Sequence, residues 1–66
     1  EKKLITILKE NDNKLWQKQL EIKSGLSKVK LSRLLYSMEK RGLVKKEAYG
    51  ASNIIHLLEE NKSQEV

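Results

Sequence analysis

Residues 24–43, SGLSKVKLSRLLYSMEKRGL, constrain the fold more than any other part of the chain. Gly25 and Gly42 lie on either side of an amphipathic run, and glycine readily adopts the left-handed conformation found just past a helix end. Ser27 is a good N-cap, because its hydroxyl can accept a hydrogen bond from a free amide of the first turn. The segment therefore predicts a helix that ends at Gly25, a turn, and an amphipathic helix that ends at Gly42. The apolar stripe of this last helix, at positions i, i+3, i+4 and i+7, is Leu31, Leu34, Leu35 and Met38.

The opposite face of this helix is cationic and carries hydroxyl groups. Advancing about 100° per residue from Leu31 identifies the side chains on that face. They are Val29, Arg33, Tyr36, Ser37 and Lys40, flanked by Lys30 and Ser32. Val29 is an apolar residue on the side away from the predicted core. The helix thus offers a basic face to a partner while its leucine stripe packs inward.

The flanking segments predict an α+β fold. Leu4, Ile5, Ile7 and Leu8 recur at helical spacing within KKLITILKE, ENDN then favours a turn, and KLW is a short extended piece. QKQLEIKS predicts the short second helix. LVKKEAY and NIIHL, separated by GAS, predict a hairpin. We expect one domain over residues 1–58, with three helices and a small antiparallel sheet, and a tail over residues 59–66 that frays.

The net charge of +5 is concentrated in one part of the chain. Nine basic and two acidic residues lie within residues 17–46, which gives this segment a charge of +7. A segregated basic segment favours a polyanion as partner. A solvated, lysine-rich surface would produce the same pattern, so charge alone leaves both interpretations open.

Composition also bears on location and on metal sites. No apolar run approaches the roughly 18 to 20 residues that span a bilayer, and no signal peptide is visible. We expect a cytoplasmic domain. The chain begins at Glu1 rather than Met, which leaves open whether it is a domain of a longer protein and whether such a protein is anchored in a membrane. There is no cysteine and one histidine, His56, which alternates with apolar neighbours and should point to solvent; we expect no metal and no cofactor.

The residues SGLSKVKLSRLL, SMEKRGLVKKE, YG, SNII and Leu57, within 24–57, resemble the winged helix-turn-helix family, especially its MarR-like and archaeal regulator branch. The resemblance implies a three-helix core with a β-hairpin wing. It also implies sequence-specific binding of double-stranded DNA by a transcriptional regulator, with the third helix in the major groove and the wing on the backbone or in the minor groove. The tip, GAS, carries no Arg or Lys, unlike many relatives.

The expected DNA-binding residues lie on the third helix and the wing. Those of the helix and its cap are Ser27, Lys28, Val29, Lys30, Ser32, Arg33, Tyr36, Ser37 and Lys40. Those of the wing are Lys45, Lys46, Tyr49, Ser52 and Asn53. The two tyrosines can donate to phosphate or rim the core, and both roles stay open. We expect Trp16 to pack rather than to stack on a base.

The alternative is a winged-helix module for protein–protein contact or assembly in a replication or transcription machine, for which Ile22 could cover a partner surface. We expect no enzyme, because Glu21 and Glu39 each lie among lysines and no nucleophile–base pair, phosphate-binding loop or metal-ligand spacing is present. No small-molecule site is evident. A homodimer, if one forms, should use regions weakly represented in or absent from this chain.

Overall fold

The computed structural model describes residues 2–58, and the tail predicted to fray lies outside this range. The described residues form an α+β domain with three helices and a three-stranded antiparallel sheet, consistent with a winged-helix arrangement. Within this part of the chain, no helix is both long and apolar enough to cross a membrane. The elements, in chain order, are α1 (Lys2–Glu10), β1 (Lys14–Trp16), α2 (Gln17–Ser24), α3 (Lys28–Lys40), β2 (Val44–Tyr49) and β3 (Ser52–Leu57).

The core lies between the helices and one face of the sheet. Leu34 was predicted to face this core with the rest of the α3 stripe, but it is only partly buried and packs at the edge. The other three stripe residues are buried as predicted. The buried apolar side chains are Leu4, Leu8, Leu15, Leu20, Leu31, Leu35, Met38, Val44 and Ile55.

The turn between α2 and α3 is held by local hydrogen bonds. Gly25 has φ 75°, in the left-handed region, and its amide donates to the carbonyl of Glu21 at 3.1 Å. The buried Ser24 hydroxyl donates to the same carbonyl at 3.3 Å and accepts from the Leu26 amide at 3.2 Å. These contacts satisfy polar groups at the helix end and fix the direction in which the chain enters α3.

Both predicted ends of α3 are confirmed. The Ser27 hydroxyl accepts from the Lys30 amide at 3.1 Å, so it caps the N-terminus. Gly42 has φ 76°, and the next amide, that of Leu43, donates back to the carbonyl of Met38 at 2.9 Å. This pattern is a Schellman motif. It ends the helix and directs the chain into β2.

The sheet has the order β1-β3-β2. The predicted extended piece KLW therefore becomes a third strand, with Trp16 opposite Ile54. The hairpin turn is shorter than the predicted GAS, because Ser52 already pairs with Tyr49. Only two residues connect the strands, and the first, Gly50, has φ 64°. A two-residue loop with a positive φ at its first position suits the twist of a hairpin.

Candidate nucleic-acid interface

The solvent-exposed face of α3 is the face predicted from the 100° rotation. Val29 is 63% exposed and Tyr36 is 62% exposed, although both are large enough to contribute to a core. Ser32 is half-buried at the border with the packed side. The other predicted residues of this helix and its cap are exposed, namely Ser27, Lys28, Lys30, Arg33, Ser37 and Lys40. The helix therefore presents a continuous polar and basic surface that its packing leaves open.

Tyr36 and Lys40 are coupled on this surface. They lie one turn apart, and the Lys40 Nζ is 5.3 Å from the centroid of the Tyr36 ring. A cation–π contact of this kind is worth about 0.5 to 1 kcal/mol at an exposed site. It holds the ammonium group and the phenol on the same side of α3. Tyr36 is thus placed outside the core rather than at its rim.

At the N-terminal end of α3, an open groove of about 380 Å³ separates α2 from the wing tip. The Asn53 amide donates to Gln17 Oε1 at 3.4 Å, which joins the wing to the first turn of α2. The groove is lined by Gln17, Lys18, Glu21, Ile22, Lys28, Ala51, Ser52 and Asn53. Three of the predicted DNA-binding residues, one from α3 and two from the wing, are therefore brought together here.

Gln17 and Lys18 belong to this end of the molecule but were missed from the sequence. They open α2, and their closeness to Asn53 depends on where the hairpin folds back. The order of the helices could have identified these two residues, because the first helix of a helix-turn-helix crosses the nucleic-acid backbone. Lys18 adds an exposed positive charge beside Lys28.

The predicted wing residues do not share one surface. Residues that face each other across a sheet point to the same side, and successive residues alternate. Lys45 lies opposite His56, on the outer face, whereas Lys46 lies opposite the buried Ile55, on the face toward the helices. Tyr49 is two residues beyond Glu47 and four beyond Lys45 along the same strand, so it also belongs to the outer face. Only Lys46 and Asn53 are on the α3 side of the wing.

On the outer face, two aromatic rings stack. The centroids of Trp16 and Tyr49 are 5.9 Å apart and their planes differ by 18°. Trp16 thus packs against another exposed ring rather than in the core, and it is 40% exposed itself. His56 is on this face too, where its Nε2 lies 2.8 Å from Glu47 Oε1.

The electrostatic character of the α3 surface follows from its composition. The helix carries four basic side chains and one acidic side chain, Glu39. Hydroxyl groups of Ser32, Tyr36 and Ser37 add hydrogen-bond donors. Ammonium, guanidinium and hydroxyl groups on one exposed helix face are the groups that bind phosphates and base edges.

Comparison with known proteins gives a family. Residues 1–58 match the family described as a domain of unknown function, DUF7343, and the chain belongs to this family. The match ends one residue past β3. No curated protein and no solved structure matches the chain.

Proposed function

We propose that this member of the DUF7343 family is a sequence-specific double-stranded DNA-binding domain of a transcriptional regulator, with the winged helix-turn-helix design of the MarR-like and archaeal branch. The observation that carries the proposal is the exposed face of α3, which is basic, rich in hydroxyls and includes the exposed Val29. The buried leucine stripe holds the other side of the same helix. This role would place the domain in the cytoplasm, beside the chromosome.

The N-terminal half of α3 is the part proposed to contact bases. A major groove is about 12 Å wide and admits one helix. Val29 fits a thymine methyl group, which explains an apolar side chain held in water at 63% exposure. Arg33 follows one turn later, and its planar guanidinium can hold either a guanine edge or a phosphate. Lys30 lies beside them.

The backbone contacts are proposed to surround this base-reading segment. Lys28 and Lys18 border the groove at the start of α3, and Lys40, next to Tyr36, lies at the other end. The wing contributes Lys46 from its helix side. Its tip, Gly50 and Ala51, offers no cation to a minor groove, so the wing is assigned to the backbone.

A second candidate function, protein–protein contact or assembly, is favoured by the exposed Trp16 and Tyr49. These rings occupy the outer face of the sheet. The α3 face itself argues against being a protein interface, because lysine is depleted in such interfaces. The two functions therefore belong to different surfaces.

The salt dependence of DNA binding tests the proposal. If about four to six phosphates are neutralised, the log–log slope of affinity against salt should be about −4 to −5. Fluorescence anisotropy with a labelled random duplex measures it. One domain should contact one half-site weakly, and two copies on a palindrome should bind more tightly. Salt-independent binding, or no binding to any duplex at low salt, would favour the protein-contact function instead.

Selection from randomised duplexes tests specificity. Val29→Ala should cost about 1 kcal/mol on the preferred site and little on random DNA, while Arg33→Ala should cost more on both. Thr6→Ala is the matched control, since Thr6 is an exposed β-branched residue on α1. If Val29→Ala leaves both the preferred sequence and its margin over random DNA unchanged, α3 does not contact bases through this residue.

A further inference from the structure

A strip of apolar surface crosses the outer face of the sheet and continues onto α2. The stacked rings of Trp16 and Tyr49 lie over the central strand, beside the half-buried Ile54. Ile22, on α2, is 69% exposed, the highest value among the exposed large apolar residues of the described chain. We call these four residues the apolar strip. None of the four belongs to the buried core or to the partly buried residues packed against it.

Two shallow grooves make the strip continuous. Each has a volume of about 170 Å³, and they share Gln19. The first is lined by Lys14, Leu15, Trp16, Gln19 and Ile54. The second is lined by Gln19, Ile22 and Lys23. The strip thus has a groove on each side of Gln19 that can accept a side chain of a binding partner.

The border of the strip is positively charged. Lys14 and Lys23 line the two grooves, and Lys45 is exposed on the same face of the sheet. Glu47 is the one carboxylate among the described strand residues of this face, and it contacts His56 at 2.8 Å. An occupant of the strip therefore meets ammonium groups on its edges.

We propose that the apolar strip binds an acidic protein segment that carries aromatic or aliphatic side chains. Aromatic residues are enriched in protein interfaces, whose buried centre is apolar, and a charged rim favours a partner of opposite sign. A second copy of this chain would bring the same lysines against them. Single-stranded nucleic acid is bound by a series of rings on which successive bases stack, whereas the strip has two rings that already cover one face of each other, and Ile22 has no ring.

Trp16 provides the assay, because it is the only tryptophan of the chain. A phage-displayed library of random 12-residue peptides is selected on the immobilised domain, and the enriched peptides are synthesised. They should combine net negative charge with aromatic or aliphatic residues. Their binding should shift the emission of Trp16 to shorter wavelength, since burial removes water from the indole. Versions with every acidic residue changed to lysine should not bind.

Two substitutions on α2 locate the binding; neither residue is proposed to contact DNA, and Lys23 also lies outside the groove that Ile22 shares with Lys18 and Lys28. Ile22→Ser and Lys23→Glu should each weaken the selected peptides about fivefold or more, while Lys9→Glu, a charge reversal on α1, should not. Arg33→Ala should bind the peptides normally, which separates this proposal from DNA binding. The proposal is overturned if enriched peptides lack acidic residues, if no peptide is enriched, or if both substitutions are silent. If oligothymidylate changes the emission of Trp16 and the peptides do not, the strip is assigned to single-stranded nucleic acid instead.

Discussion

The two neighbouring lysines of β2 should contribute unequally to DNA binding. The sequence alone places Lys45 and Lys46 together among the expected DNA-binding residues of the wing. The sheet register separates them, because Lys46 is opposite Ile55 on the helix side and Lys45 is opposite His56 on the outer side. Only Lys46 shares a side of the sheet with α3. We therefore predict that Lys46→Ala weakens DNA binding and that Lys45→Ala changes it little.

The expected size follows from release of counterions. One phosphate contact contributes about 0.9 to the log–log slope. If the contact is worth nothing at about 1 M salt, its loss weakens binding about 15-fold at 50 mM and about 4-fold at 200 mM. Lys45→Ala should weaken binding by less than about twofold at either salt concentration, because its charge acts only from a distance through screened solvent.

Anisotropy titrations of wild type and both variants on one duplex, at four or more salt concentrations, give the slopes. The two variants remove the same charge from adjacent residues of one strand, so each controls for the change in net charge. Thermal unfolding should give the same midpoint for both, since both side chains are exposed. Equal slope changes for Lys45→Ala and Lys46→Ala would refute the assignment of the wing faces.

Two further predictions concern the stability of α3. Leu35→Ala should lower the free energy of unfolding by about 2 to 5 kcal/mol. Leu34→Ala should lower it by clearly less, because Leu34 is partly exposed. Urea unfolding measures both losses, and equal losses would mean that the helix is rotated. Ser27→Ala should cost about 1 kcal/mol through loss of the bond to the Lys30 amide. Ser37→Ala, at an exposed position inside the helix, is its control and should be near neutral.

Local signals explain why α3 was predicted well. Its start depends on Ser27 and its end on Gly42, and each acts on backbone groups within a few residues. The face it exposes follows from the helical repeat alone. Leu34 is the instructive exception, because its position at the edge of the stripe depends on how closely neighbouring elements cover it. The spacing of apolar residues does not determine the rotation of a helix about its axis to within a few degrees.

The wing could not be assigned in the same way. β2 has one buried residue, Val44, followed by five exposed residues, so its sequence lacks the alternation that identifies the two faces of a strand. The separation of Lys45 from Lys46 appears only with the pairing to β3. The contact between Trp16 and Tyr49 likewise joins residues that are 33 positions apart in the sequence. It depends on the strand order β1-β3-β2. No local pattern encodes such long-range neighbours.

The two faces of the wing belong to the two proposed surfaces, the DNA-binding surface and the apolar strip. The helix side of the wing carries Lys46 on the side of the proposed DNA contacts, and its outer side carries Tyr49 in the apolar strip. A protein segment on Trp16, Tyr49 and Ile54 would therefore leave the exposed face of α3 open to DNA, and only its end on Ile22 would reach the groove that Lys18 and Lys28 border. Since one half-site reader binds weakly, a partner that itself contacts neighbouring DNA would raise the effective concentration of this domain at its site. A partner on the strip would then increase occupancy of DNA without changing the sequence preference that we propose for Val29 and Arg33.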